Sequence, residues 1–402
     1  MYLPELSIPV TIPMPFSMLM NENESSYIII NSRKLISLRL HDYVVVFVNF
    51  INFNNLYMRG LIMERKEKIK VLVTVPKLLL EEISRPEDRD RLEEFAEVIY
   101  NDKDRNLTQE ELREMIRGVE GCITSWGSPR FTKEVLENAD RLKIIGHAAG
   151  SVKPYVTDEV FKRGIVIVNA ADVIAISVAE FALAMILNCL RRIPEYVYAV
   201  RERRDWCIKR ERKFFTYDLR GKRIGIIGFG RVARNLVRLL KSFDVNILVY
   251  DPYVSVDVVS SFGCRLVDLD TLLRESDIVT IHAALTEETY HMIGERELKL
   301  MKRSAYLINT ARGAIIDEKA LVKALKEGWI AGAALDVFEK EPLPKDSPLY
   351  ELKNVYLTPH IAGSSDERRH IIFGVIVEEF ERFFTGKSLR YRIVPEMLKF
   401  QA

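Results

Sequence analysis

From Ile69 onward, short apolar runs alternate with amphipathic stretches. Residues 69–75 (IKVLVTV) predict a buried strand, and the stretch that follows, as far as Ile99, reads as an amphipathic helix. Further strand candidates are residues 121–126 (GCITSW), 142–150 (LKIIGHAAG) and 164–170 (GIVIVNA), followed by a long apolar helix beginning near Ser177. A second series opens at residues 223–230 (RIGIIGFG) and continues through 246–251 (NILVYD), 277–283 (DIVTIHA), 304–311 (SAYLINTA), 331–338 (AGAALDVF) and 355–360 (VYLTPH). Strands alternating with helices predict parallel sheets covered on both faces, and the six runs of the second series suffice for a complete doubly wound sheet.

The first 66 residues read differently. They begin with Pro4, Pro9, Pro13 and Pro15 and continue into Ile-, Asn-, Phe- and Val-rich text with no sustained period of 2 or 3.6. We treat residues 1–66 as an uncertain N-terminal segment, disordered or arising from a mis-assigned start, with Met63 as the alternative first residue. The apolar run from Tyr43 to Phe53 is interrupted by Asn49 and Asn52 and falls short of the roughly 20 residues of a membrane helix. The absence of a basic n-region argues against a secretory signal.

Composition narrows the classes. At 402 residues, with 48% hydrophobic and 29% charged residues, the chain suits a folded soluble protein of two domains. A net charge of +2 gives no reason to expect nucleic acid. Cys122, Cys189, Cys207 and Cys264 lie far apart, so neither a zinc site nor a disulfide framework is expected, and a reducing cytoplasm fits.

Candidate chemistry begins at Gly228-Phe229-Gly230-Arg231-Val232-Ala233, a G-x-G-x-x-G/A turn between a strand and a helix read as Val232 to Phe243. Gly228 would permit the tight turn, Gly230 a close approach to a pyrophosphate and Ala233 tight helix packing. The helix N-terminus would face the phosphates. Asp251 follows the second glycine by about 20 residues, the spacing of an acid that binds the adenosine ribose and disfavours a 2′-phosphate, so NAD is the expected cofactor. Alone, such a turn is also compatible with an ordinary Gly-rich strand-to-helix connection.

Three later strand ends deliver Arg312, Glu341 and His360. Arg312 can grip a carboxylate bidentately, and His360 can donate a proton to a ketone as hydride arrives. Glu341 beside His360 would favour the imidazolium. Taken singly, each has a plainer reading as an ion-pairing, solvated or packing residue; jointly, beside a dinucleotide turn, they read as a site.

Residues 177–187 (SVAEFALAMIL), 221–233 (GKRIGIIGFGRVA), 307–321 (LINTARGAIIDEKAL), 331–343 (AGAALDVFEKEPL) and 357–364 (LTPHIAGS) closely resemble the D-isomer-specific 2-hydroxyacid dehydrogenases, over residues 69–394. The resemblance implies an α/β protein of two Rossmann-like doubly wound domains: a substrate domain formed by residues 67–169 and 362–402, and an NAD-binding domain, 170–361, inserted between them. It implies hydride transfer between NAD(H) and a small D-2-hydroxy or 2-keto acid, with Arg312, Glu341 and His360 catalytic. Cofactor contacts would come from Gly228, Gly230, Arg231, Val232, Asp251, Thr310, Ala311, Arg312, Asp336, His360 and Gly363, with Asp336 holding the nicotinamide carboxamide. Gly150, Ser151 and Arg312 would bind substrate. The implied assembly is a homodimer through helical arms in residues 191–212, with no metal and no membrane or nucleic-acid partner.

Two departures stand out: Ala284 replaces the usual proline in H-x-P-L-T, and residues 148–153 (AAGSVK) replace A-G-x-G-x-D. Two rival readings remain: a formate dehydrogenase, in which Gln is expected at the place of Glu341, and a non-catalytic NAD(H)-sensing protein of the same fold.

Overall fold

The computed structural model describes residues 68–210 and 215–398, and in the segment before them residues 18–20, 27–29, 36–40, 43–52 and 55–65. Met1–Lys68 and Ile69–Ala402 are separate compact units. The early segment, whose pattern predicted no regular element, contains strands β1 (Met18–Met20), β2 (Tyr27–Ile29), β3 (Ile36–Leu40), β4 (Tyr43–Asn52) and β5 (Asn55–Arg65). β1 pairs antiparallel with β2, and β3, β4 and β5 form an antiparallel sheet. The run from Tyr43 therefore falls in a strand.

The second unit contains two sheets. One comprises β6 (Ile69–Val73), β7 (Ala96–Tyr100), β8 (Gly121–Thr124), β9 (Ile144–His147), β10 (Val166–Asn169) and, much later, β18 (Arg392–Ile393). The other comprises β11 (Arg223–Ile227), β12 (Asn246–Tyr250), β13 (Arg265–Leu266), β14 (Ile278–Ile281), β15 (Tyr306–Asn309), β16 (Gly332–Leu335) and β17 (Val355–Leu357). The six-stranded order is β18-β10-β9-β8-β6-β7, parallel except where β18 meets β10. The seven-stranded order is β13-β12-β11-β14-β15-β16-β17, parallel throughout. The chain leaves the first sheet after β10, builds all of the second, and returns through the helix Ile372–Phe384 to β18. That helix seats Ile372, Phe373, Ile376, Val377 and Phe380 in a core shared with β6 and β8. Each sheet has an apolar core on either face, as the alternation of strands and helices predicted.

Four elements differ from the sequence pattern. The stretch expected to be helical as far as Ile99 is two helices, Lys77–Ile83 and Pro86–Phe95, followed by β7. β7 is an edge strand, and its half-exposed text AEVIY carries too little apolar contrast to end the helical period. β13 spans two residues at the other sheet's edge and makes a seventh strand where six were counted. The helix after the fingerprint turn runs Arg231–Leu240, and its expected last residues form the 3-10 turn Lys241–Phe243.

The fourth is the helix expected near Ser177, which starts at Ala171 and ends at Arg191. Its first turns pack Val173 and Ile174 against the six-stranded sheet. Its later turns pack Ala179, Ala182, Ile186, Cys189 and Leu190 against the seven-stranded one. By length and composition it could cross a bilayer, but it is apolar on several sides because it is gripped by two cores.

Candidate active site

In the seven-stranded sheet, β11 lies between β12 and β14, so the strand order reverses there. The C-terminal ends of β11 and β14 flank the crevice in which open α/β sheets bind ligands. The turn after β11 holds Gly228 at φ +86°, and a Cβ there would lie 2.6 Å from the Ala283 nitrogen, so only glycine fits. At Gly230, which caps the helix Arg231–Leu240, a Cβ would have no neighbour within 4 Å; the backbone opens onto a cavity. Ala233 is wholly buried on the inner face of that helix.

The cavity, about 640 Å³, is lined by residues from both sheets. Gly230, Arg231, Val232, Thr310, Ala311, Arg312, Asp336, His360 and Gly363 line it from the seven-stranded side and the turn that follows, and Gly150 and Ser151 from the six-stranded side. Of the residues singled out from sequence, Gly228, Asp251 and Glu341 stand behind this lining.

Arg312 follows β15. Burial lowers its pKa, the charge of Glu341 opposes that shift, and one guanidinium nitrogen donates to the Ala311 carbonyl at 2.6 Å. Its turn is held by Asn309, whose amide donates to the Arg312 carbonyl and whose side-chain oxygen accepts from the Ala311 N–H. Gly313 must be glycine for a reason the sequence reading missed: a Cβ there would lie 1.8 Å from the Phe338 carbonyl carbon. That approach presses the Arg312 turn against the segment leading to Glu341.

His360 follows β17 with φ +55°, a left-handed conformation uncommon outside glycine. Its N–H donates to the Asp336 carbonyl at 2.8 Å, and its Nδ1 lies 2.7 Å from Glu341 Oε2. Glu341 Oε1 accepts from the Phe338 N–H, so the carboxylate is itself anchored. Buried Asp336 accepts from the Thr358 hydroxyl at 2.7 Å and the N–H groups of Ile361 and Ala362 at 2.9 and 2.8 Å. These bonds hold the His360 turn.

After β12, Asp251 Oδ2 accepts from the Phe229 N–H at 2.7 Å and Oδ1 from the Tyr253 N–H at 2.9 Å, tying the glycine turn to the end of that strand. Arg231 is paired with Asp172 at 2.7 Å. Thr310 Oγ1 is buried on the cavity wall without a hydrogen-bond partner. An unsatisfied hydroxyl and an open backbone cradle at a helix N-terminus are what a polar, phosphate-bearing dinucleotide would fill.

Other residues to which the sequence assigned no catalytic or binding role also line the cavity. His282, the first residue of the segment that departs from H-x-P-L-T, lines the cavity; it bonds the Thr280 hydroxyl at 2.9 Å, and burial lowers its pKa to about 3, so the ring is neutral. Trp126, Arg368 and Arg369 also line it, with Arg369 over the Trp126 ring. No motif marks them, because they meet only when the two sheets come together.

A doubly wound parallel sheet with a glycine turn at its switch point, and a cation and a histidine–carboxylate pair on later strand ends, defines a nicotinamide-dinucleotide oxidoreductase. Residues 183–362 match the model of the D-isomer specific 2-hydroxyacid dehydrogenase NAD binding domain. The glyoxylate reductase of Korarchaeum cryptofilum is 40% identical over 287 residues, 71% of this chain and 86% of that protein. The D-3-phosphoglycerate dehydrogenase of Methanocaldococcus jannaschii is 40% identical over 297 residues, 74% of this chain but only 55% of the longer relative. Among solved structures, an acyclic imino acid reductase in complex with NADPH and D-Arg superposes with a TM-score of 0.69 at 26% identity, covering 81% of this chain and all of that one. The chain belongs to the D-isomer-specific 2-hydroxyacid dehydrogenase family, oxidoreductases acting on CH–OH donors with NAD(P).

Proposed function

We propose that the chain reduces a small 2-keto acid to the D-2-hydroxy acid with NADH as the preferred cofactor, and catalyses the reverse oxidation. The observation that carries this reading is the 2.7 Å contact between His360 Nδ1 and Glu341 Oε2 beside the cavity that half-buried Arg312 also lines. Bound nicotinamide supplies or accepts the hydride. Arg312 binds the C1 carboxylate and polarises the adjacent carbonyl. Glu341 occupies Nδ1 and orients the ring, leaving Nε2 of His360 to donate a proton to the carbonyl oxygen, or to accept it in oxidation. The backbone around Gly150 and Ser151 faces the substrate. Asp251 takes the ribose hydroxyls, while Gly230, Arg231, Val232, Thr310, Ala311, Asp336 and Gly363 line the dinucleotide path.

In the same reading, residues 67–169 with 362–402 form a substrate domain and 170–361 the cofactor domain. The chain acts as a homodimer. Glu341 disfavours the formate dehydrogenase alternative, and the anchored His–Glu pair disfavours a mere sensor of NAD(H).

The test is reduction of 2-keto acids followed by NADH oxidation. His360→Gln is expected to lower turnover about 10²–10⁴-fold with NADH affinity unchanged. Arg312→Lys is expected to raise the substrate KM, because a point charge cannot reproduce a planar bidentate contact. Retention of full turnover by His360→Gln would refute the assignment.

A further inference from the structure

The cavity carries more positive charge than a 2-keto acid with one carboxylate requires. Arg231, Arg312, Arg368 and Arg369 all line it, whereas the only lining carboxylate among the described residues, Asp336, is spent on the Thr358 hydroxyl and two backbone N–H groups. Three of the arginines are accounted for. Arg231 pairs with Asp172 at 2.7 Å. Arg369 pairs with Glu82 at 2.7 Å and lies over the Trp126 ring at 5.2 Å. Arg312, half-buried, lies in reach of the Glu341 charge.

Arg368 is different. It is half-buried on the short helix Asp366–Arg369, and its guanidinium makes no hydrogen bond or ion pair among the described residues. The carboxylate next to it, Glu367, is exposed and accepts from the Ser365 hydroxyl; it feels the Arg368 charge but makes no direct bond to the guanidinium. The same lining includes Trp126, which lies under Arg369, Leu79, on the helix whose Glu82 pairs with Arg369, and Ile372, which follows closely in the chain. This wall is apolar, so a charge meeting Arg368 there is weakly screened. A half-buried guanidinium on a cavity wall with no hydrogen-bonded partner is stabilised when an anion arrives, and its fork geometry suits carboxylate or phosphate oxygens.

We propose that Arg368 is a specificity-determining residue that selects 2-keto acids bearing a second anionic group, carboxylate or phosphate, at the end remote from the C1 carboxylate. This rests on the site reading above: with C1 at Arg312 and the carbonyl at His360, the remainder of the substrate extends along the Leu79 and Trp126 wall to Arg368.

The experiment compares kcat/KM for glyoxylate and 2-oxobutyrate, which lack a second charge, with 2-oxoglutarate and 3-phosphonooxypyruvate, which carry a carboxylate or a phosphate. In Arg368→Ala the ratio of charged-tail to uncharged-tail kcat/KM is expected to fall about 10–100-fold, chiefly through KM, as for a lost charge-assisted hydrogen bond. Arg368→Lys should recover part of the ratio. The tail that loses more identifies carboxylate or phosphate as the anion. An unchanged ratio, or a loss confined to the KM for NADH, would overturn the proposal, the latter by placing Arg368 against the cofactor.

Calorimetric titration of 2-oxoglutarate and of 3-phosphonooxypyruvate into the NAD-loaded parent and Arg368→Ala proteins separates the two levels of inference. If the parent reduces none of the four acids, the catalytic reading fails, while weaker binding to the variant still supports Arg368 and equal binding removes it.

Discussion

At the scale of single residues, what matters is which polar atoms are occupied and which are left over. Asp251 uses one lone pair of each oxygen on backbone N–H groups, which fixes the carboxylate at the end of β12 with acceptor capacity remaining for ribose hydroxyls. The same negative charge repels a 2′-phosphate, so NADH should be preferred over NADPH, and Asp251→Ala should narrow the gap in kcat/KM; parity in the parent protein would refute the ribose assignment.

Two histidines set a second expectation. His147, beside Tyr155 and bonded to the Thr124 hydroxyl, and His282 have pKa values lowered by burial from 6.5 to about 3. Between those limits the unfolded chain binds protons that the folded chain excludes, so stability falls as pH drops through that window. The melting temperature should therefore decrease from about pH 7 to about pH 5, and His147→Phe, which keeps a ring against Tyr155, should show a smaller decrease. An identical decrease would assign the acid sensitivity to other groups.

At the scale of elements, the site is a set of strand-end turns pressed against one another. The turn after β15 carries Arg312, the segment after β16 carries Asp336 and Glu341, and the turn after β17 carries His360. Gly313 is the contact point between the first two. A methyl group at that position must displace backbone rather than a flexible side chain, so Gly313→Ala should cost about 1–3 kcal/mol or more and lower the melting temperature by several degrees. It should also reduce kcat, since Arg312 and Glu341 move apart. A variant that keeps both values would show that this approach does not set the catalytic spacing.

For the whole molecule, the segment after Arg191 is a feature that a single chain leaves unexplained. The helix Ile193–Arg201 and the 3-10 turn Trp206–Arg210 expose Ile193, Val197, Tyr198, Val200 and Trp206, the last at 70%. Apolar side chains grouped in this way on a surface mark an interaction site, and the homodimer proposed above would cover them. Val197→Asp combined with Tyr198→Asp is expected to reduce the mass measured by light scattering to that of one 46.5 kDa chain. An unchanged mass would place any dimer contact elsewhere.

Much of this molecule is legible along the chain because its main constraints are local. A Gly-x-Gly turn is dictated by the backbone geometry of one strand-to-helix connection, and the central strands of parallel sheets are continuous apolar runs, so Gly228, Gly230 and ten of the paired elements announce themselves. Edge strands such as β7 and β13, half-exposed or two residues long, do not, because they lack that contrast. The start of the helix Ala171–Arg191 is equally hidden, since it is gripped by two cores at once. The residue types Arg312, Glu341 and His360 could be named from their motifs, but the 2.7 Å His–Glu contact and the close approach at Gly313 depend on three turns meeting. The convergence of Arg368 with Trp126 and Leu79 on one cavity joins residues hundreds of positions apart, and only the packing of two sheets around a shared cleft decides it.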